Sequence, residues 1–171
     1  MDYLMDTNSV SAMLKQNDKI WVKVALVEFA GEKIFFNTIS YFESKRGLLA
    51  SQATRKMPDF DEMRQDYDML GIDSEAVLDK ASEIYATLKP QGKLLPDADI
   101  LIAAIALTYN LILVTDDGHF DRISGLKVEN WLRSASIFES QEKSDFFKKF
   151  LEPVRESVGF AIALPTLQKT I

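Results

Sequence analysis

The chain has 171 residues, 47% apolar and 27% charged, a composition typical of one globular domain rather than a disordered or low-complexity segment. It contains no cysteine and a single histidine, His119, which excludes disulfides, cysteine-ligated zinc, iron–sulfur clusters, thiol nucleophiles and metal sites built from several histidines. The 26 acidic and 20 basic residues give a net charge of −6, so broad contact with phosphates is disfavoured and any nucleic-acid contact must be local.

The sequence predicts neither a membrane segment nor an export signal. No apolar run approaches the roughly 20 residues that cross a bilayer, and the first residues lack a basic region followed by an apolar core. We therefore expect a soluble, cytoplasmic protein with no membrane partner.

Short apolar runs alternate with helical segments along the first half of the chain, which favours a parallel sheet covered by helices. Strands are predicted at 3–5, 34–38 and 69–72, and helices at 10–15, 21–29, 40–50 and 75–88. Asn8 or Ser9 is expected to cap the first helix, and Asp73 or Ser74 the last of them. The polar stretch 51–67 is mostly helical in character and has no sharp signature.

The second half of the chain holds the most apolar elements. Pro96 suits a first helical turn, and the helix predicted at 97–109 is apolar all round over 100–107, which indicates a central position. Residues 111–114 form the strongest strand pattern, and 127–130 are expected to form a last strand at an edge of the sheet.

The region from 134 to 171 is predicted to be a C-terminal helical extension to a domain formed by residues 1–133. Phe146, Phe147, Phe150 and Leu151 recur at helical spacing among charged residues. Such an amphipathic helix would pack on its own domain or on a partner.

Acidic residues fall just past the predicted strands or in the helices that follow them. They are Asp6 after the first strand, Glu43 one helical turn past the second, Asp99 in the first turn of the apolar helix, and Asp116 or Asp117 after strand 111–114. Asp97 is a further candidate beside Asp99. Singly, each has an ordinary explanation as a turn or helix-start residue, but parallel strands would bring all of them to one edge of the sheet.

Carboxylates that share a site repel one another, so they either keep protons or bind a cation. An all-oxygen, histidine-poor set selects Mg²⁺ or Mn²⁺ over zinc. Such an ion can activate water and stabilise charge on a phosphodiester, so metal-dependent phosphodiester hydrolysis is the reaction that suits this set best.

Five segments together resemble the motifs of PIN-domain nucleases, in order and at ordinary spacing. They are residues 5–9, 39–47, 99–104, 113–120 and 125–131, the last being similar to the closing segment of VapC-type toxins in that family. The resemblance covers about residues 1–133.

The resemblance implies a three-layer α/β/α sandwich with a mainly parallel central sheet. It also implies a Mg²⁺- or Mn²⁺-dependent endoribonuclease, the toxin of a type II toxin–antitoxin pair. Such toxins commonly cut tRNA or rRNA, are held inactive by a small antitoxin protein, and form homodimers.

Carried over by motif, the catalytic, metal-binding acids are Asp6, Glu43, Asp99 and Asp117, with Asp116 kept as the alternative fourth ligand. Two adjacent aspartates stand in the fourth motif, so the sequence does not decide between them. Asn8 and Thr115 are expected to support the acids through hydrogen bonds.

Other interpretations stay open. A non-catalytic PIN-like module that binds RNA or protein fits the acidic balance, and an aspartate-dependent phosphatase or signal receiver also places an aspartate at a strand end. The phosphatase pattern usually has a second aspartate where this chain has Asn8. His119, next to Asp116 and Asp121 in the chain, is read as a surface residue rather than a general base. Lys45, Arg46 and Lys93 are candidate contacts for RNA phosphates.

Overall fold

The structure, a computed structural model, describes residues 1–133. Five strands are present in this range: β1 Tyr3–Met5, β2 Ile34–Asn37, β3 Asp68–Leu70, β4 Ile112–Val114 and β5 Lys127–Glu129. Six α-helices connect them: α1 Thr7–Leu14, α2 Asp18–Phe29, α3 Thr38–Ala50, α4 Met57–Asp66, α5 Glu75–Leu88 and α6 Asp97–Thr108. The predicted extension at 134–171 lies outside the described residues.

The strands form one sheet in the order β3-β2-β1-β4-β5, and every neighbouring pair is parallel. The chain builds outward from β1 to β2 and β3, then returns to the other side of β1 for β4 and β5. The order therefore reverses between β1 and β4, where an open α/β sheet leaves a crevice at its carboxyl edge. Strand β5 lies at the edge of the sheet, as predicted.

Helices cover both faces of the sheet, which confirms the α/β/α architecture. On one face Leu4 and Leu113, both fully buried, belong to the same apolar cluster as α5 and α6. Strand side chains alternate between faces, so Tyr3 and Met5, which are also buried, point to the opposite layer. There the centroids of the Tyr3 and Trp131 rings lie 5.1 Å apart. Truncating a core leucine such as Leu113 to alanine costs about 2–5 kcal/mol in sites of this kind.

Helix α6 is central, as its apolar sequence predicts. Its buried residues are Ile100, Ile102, Ala103, Ala104, Ile105 and Ala106. Pro96 stands at the N-cap of α6 and makes no side-chain capping hydrogen bond. Asp97 and Asp99 lie in the first turn, where negative charge favours the start of a helix.

Two caps differ from those predicted. The first helix begins at Thr7, and the side chain that caps it is that of Asp6 rather than Asn8 or Ser9. Asp6 takes this position because its backbone is still extended as it leaves β1. Ser74 stands at the start of α5, but its side chain makes no capping hydrogen bond.

Several boundaries also shift by a few residues. The third strand covers Asp68–Leu70 instead of 69–72, and most of the polar stretch 51–67 resolves into α4. Within residues 1–133, no helix has the length and apolar character needed to cross a membrane.

Candidate active site

Asp6 directly follows β1, at the edge of the sheet where the strand order reverses. Its side chain is buried, with 4% of its surface exposed. The Oδ2 atom accepts a hydrogen bond from Thr115 Oγ1 at 2.6 Å, and Oδ1 accepts one from the backbone N–H of Thr7 at 2.5 Å. Burial raises the pKa of Asp6 to about 6 although these donors oppose the shift, and the nearby charge of Asp99 adds to it.

Glu43 is joined to Asp6 through Thr7. The Thr7 hydroxyl donates to Glu43 Oε2 at 2.7 Å, while the backbone N–H of the same residue bonds to Asp6. Arg46, one helical turn later in α3, donates to Glu43 Oε1 at 3.1 Å. Both oxygens of Glu43 are therefore oriented, and Thr7 holds its side chain close to that of Asp6.

Two buried polar residues, Asn37 and Ser40, fix the start of α3 against the end of β1. Asn37 Oδ1 accepts from the backbone N–H of Ser40 at 2.8 Å and so caps α3, and Asn37 Nδ2 donates to the carbonyl of Met5 at 2.9 Å. The Ser40 hydroxyl lies 3.1 Å from Thr7 Oγ1. This network sets where Glu43 stands relative to β1.

The pKa of Asp99 depends on its burial and on the charges of the neighbouring acids. Burial raises its pKa, and the charges of Asp117 and then Glu43 raise it further, while His119 acts in the opposite direction. The charge of Asp99 in turn raises the pKa of Asp6. The charges of Asp6, Glu43 and Asp117 therefore all interact with that of Asp99, although only Asp99, Asp117 and His119 have ligand atoms within 4.8 Å of one another.

The fourth motif brings Asp117, rather than Asp116, to this group. One ligand atom each from Asp99, Asp117 and His119 lie within 4.8 Å of one another, whereas Asp116 is exposed. The backbone N–H of Asp117 donates to Thr115 Oγ1 at 3.1 Å. Since that hydroxyl donates to Asp6, Thr115 links the acids that follow β1 and β4.

The remaining candidate residues differ in how they contact the acids. Asp97 is exposed, as is the side chain of Asn8, whose backbone N–H rather than its amide faces Asp6. The expected support from Thr115 is present as a direct hydrogen bond. Lys45 donates to Tyr41 Oη at 2.7 Å and lies 3.7 Å from Asp61 Oδ1.

Sequence reasoning missed Thr7, Asn37 and Ser40. Asn37 stands between a strand and a helix, a position where an N-cap is common, so its capping could have been found from the sequence. The bonds from Thr7 to two acids depend on how α1 and α3 meet, and no local pattern signals them.

These residues fit a divalent cation of the Mg²⁺ type. The acids supply carboxylate oxygens, the ligands that Mg²⁺ and Mn²⁺ accept. Burial and then the neighbouring carboxylates raise the pKa of Asp99, and a bound cation would oppose both effects. Among residues 1–133, the cations at the site are Arg46 beside Glu43 and, when protonated, His119 beside Asp117.

Comparison with known proteins agrees with this geometry. The family model described as PIN domain matches residues 3–126, which include all four acids. The chain belongs to the PIN domain family. A relative named Ribonuclease VapC1 from Methanocaldococcus jannaschii is 34% identical over 109 residues, covering 62% of this chain and 76% of the relative. A second Ribonuclease VapC1, from Haemophilus influenzae, is 25% identical over 134 residues and is covered completely.

Solved structures show the same fold. A structure of VapBC2 from Rickettsia felis, bound to a promoter DNA fragment, superposes with a TM-score of 0.71 at 24% identity and covers 77% of this chain and 99% of that one. VapBC-1 from nontypeable Haemophilus influenzae gives a TM-score of 0.66 at 24% identity, covering 78% and 100%. The fold described for this PIN domain is therefore shared with chains of both complexes.

Proposed function

We propose that this chain is a VapC-like endoribonuclease that hydrolyses RNA phosphodiester bonds with Mg²⁺ or Mn²⁺ held by Asp6, Glu43, Asp99 and Asp117. The observation that carries the proposal is the close approach of Asp99 to Asp117, whose ligand atoms lie within 4.8 Å of each other, together with Thr115, which hydrogen-bonds to both Asp6 and Asp117. Relatives named Ribonuclease VapC1 support the reaction class.

Hydrogen bonds from neighbouring residues hold the Asp6 and Glu43 side chains in place. Thr115 and the backbone N–H of Thr7 keep the Asp6 carboxylate fixed, and the Thr7 hydroxyl orients Glu43. Because these donors are already in place, little side-chain freedom is lost when the site is filled. When bound, the divalent ion supplies charge neutralisation for the phosphodiester and lowers the pKa of water.

RNA binding is proposed to be local, because the chain carries a net charge of −6. Arg46 is 60% exposed, lies against Glu43 and stacks over the ring of Phe42 at 5.1 Å from its centroid. Its exposure and its contact with Glu43 support the proposal that this guanidinium binds a phosphate close to the acids. A tRNA or rRNA substrate remains a prediction from the family resemblance.

A small antitoxin is the proposed partner, since similar structures include VapBC complexes. We also propose that the protein forms a homodimer and is located in the cytoplasm. We keep residues 1–133 as the proposed nuclease domain and residues 134–171 as its proposed extension.

The test uses the full chain, purified alone and together with the small protein encoded beside it. We expect cleavage of total RNA with Mg²⁺ or Mn²⁺, loss of cleavage with a chelator, and inhibition when the neighbouring protein co-purifies. Asp99→Asn should abolish cleavage, and Asp97→Asn, in the same helical turn but exposed, serves as the matched control. Cleavage by Asp99→Asn at the wild-type rate would overturn the proposal, whereas absence of metal binding in the wild type would favour a non-catalytic binding module.

A further inference from the structure

His119 stands at the open edge of the acidic site. It is the chain's single histidine, and its side chain is 55% exposed. Nδ1 lies 3.3 Å from Asp117 Oδ1, and a ring nitrogen lies within 4.8 Å of the ligand oxygens of both Asp99 and Asp117. The sequence predicts a surface residue at this position, and the structure shows that the exposed ring also lies beside Asp99 and Asp117.

The imidazole ring is not needed to hold Asp117 in place. The backbone N–H of His119 donates to Asp117 Oδ1 at 2.8 Å, and Asp117 caps the short 3₁₀ helix Gly118–Arg122 through that bond. The next residue, Phe120, is 1% exposed and anchors the segment in the core. The loop is therefore set by its backbone and by Phe120, so the contact of the His119 ring with Asp117 is not what holds the loop.

We propose that His119 is a ligand of the divalent ion in this site, and that its nitrogen makes the site prefer Mn²⁺ to Mg²⁺. This inference rests on the proposed metal-dependent function and adds to it the choice of ion. Mg²⁺ favours an all-oxygen shell, whereas a first-row transition-metal ion gains more from an imidazole nitrogen. The carboxylates of Asp99 and Asp117 accept either ion, so the discriminating ligand is the ring.

The single histidine makes a direct spectroscopic test possible. Pulsed EPR of the Mn²⁺-loaded full chain should show ¹⁴N coupling from an imidazole, and any such signal can come only from His119. The coupling should disappear in His119→Ala. Mn²⁺ bound with no imidazole coupling in the wild type would overturn the proposal.

Calorimetry supplies an independent readout. In His119→Ala the affinity for Mn²⁺ should fall at least about tenfold, the size typical of losing a ligand or its support, while the affinity for Mg²⁺ changes less than about threefold. His119→Asp, which restores an oxygen ligand, should regain binding but with the preference moved toward Mg²⁺. The exposed neighbour Asp121, replaced by asparagine, is the control and should leave both affinities unchanged.

The outcomes separate this inference from the function on which it rests. If the wild type binds both ions and His119→Ala leaves the ratio of the two affinities unchanged, the ligand assignment is wrong while the proposed nuclease stands. If the wild type binds neither ion, both proposals fail. Because His119 is exposed, equal melting temperatures of wild type and variant are expected and exclude unfolding as the cause of any change.

Discussion

The two sides of the acidic site are built differently. The inner side, Asp6 and Glu43, is held by short hydrogen bonds from Thr115 and Thr7. The outer side, Asp99, Asp117 and His119, is half-buried to exposed, and the charge of Asp117 acts on the nearby Asp99. The inner acids are thus held by donors from neighbouring elements, whereas the outer acids are more open to solvent and to an incoming cation.

Substitutions on the two sides should therefore weaken metal binding for different reasons. Donors that fix the inner side reduce the freedom of its side chains before any ion binds, and their loss should weaken binding. The outer acids are proposed to bind the ion directly, so their loss should weaken binding more than the loss of a donor on the inner side. Substitutions on the two sides therefore distinguish positioning from ligation.

The largest effect is expected from Asp99→Asn, because Asp99 is coupled to Asp6, Glu43 and Asp117. Metal-dependent cleavage of RNA should fall by at least about a thousandfold with the fold intact. Single-turnover cleavage assays and circular dichroism measure the two properties. An unchanged rate would show that the outer side does not ligate.

The adjacent aspartates provide a matched pair on the outer side. Asp117→Asn should lower cleavage by about a hundredfold, since Asp117 lies with Asp99, while the exposed Asp116→Asn should change it less than about threefold. The same cleavage assay, run at saturating Mn²⁺, measures both. The reverse order would reassign the fourth acid to Asp116.

Thr115→Val tests positioning on the inner side, because it keeps the side-chain shape and removes the donor to Asp6. We expect a loss of about tenfold to a hundredfold in metal affinity or activity, measured by calorimetry and cleavage. Thr108→Val is the control, since the Thr108 hydroxyl is buried without a hydrogen-bond partner. Equal effects of the two variants would contradict a positioning function for Thr115.

The smallest effect concerns stability and pH. Because the pKa of Asp6 rises from 3.8 to about 6 on folding, the folded state keeps a proton that the unfolded chain releases between these values. The free energy of unfolding of the metal-free protein should therefore fall as pH rises through this window.

Asp6→Asn removes this titration. In the metal-free state at pH 7 it should raise the free energy of unfolding by about 1–2 kcal/mol, after the loss of one charge-assisted hydrogen bond is included. Denaturant titrations at pH 4 and pH 7 measure the change. A variant less stable than the wild type at pH 7 would contradict the burial cost assigned to Asp6.

The sequence predicts the sheet and most of the elements because their signals are local. The apolar run 111–114, the apolar helix that contains Asp99, and the acids past the strand ends all fall where strand and helix periodicities put them. What it could not predict depends on contacts between distant elements. Thr7 reaches Glu43 across 36 positions, and His119 meets Asp99 only because two loops end at one edge of the sheet.

The central claim, that the two sides form one divalent-ion site, is tested most directly by a double-mutant cycle of Mn²⁺ binding. Calorimetry on the wild type, Asp6→Asn, Asp99→Asn and the double variant gives the coupling between the inner and outer acids. We predict that each single substitution abolishes or strongly weakens binding and that the double variant loses little more. Independent, additive losses, or binding that survives both substitutions, would contradict a single site.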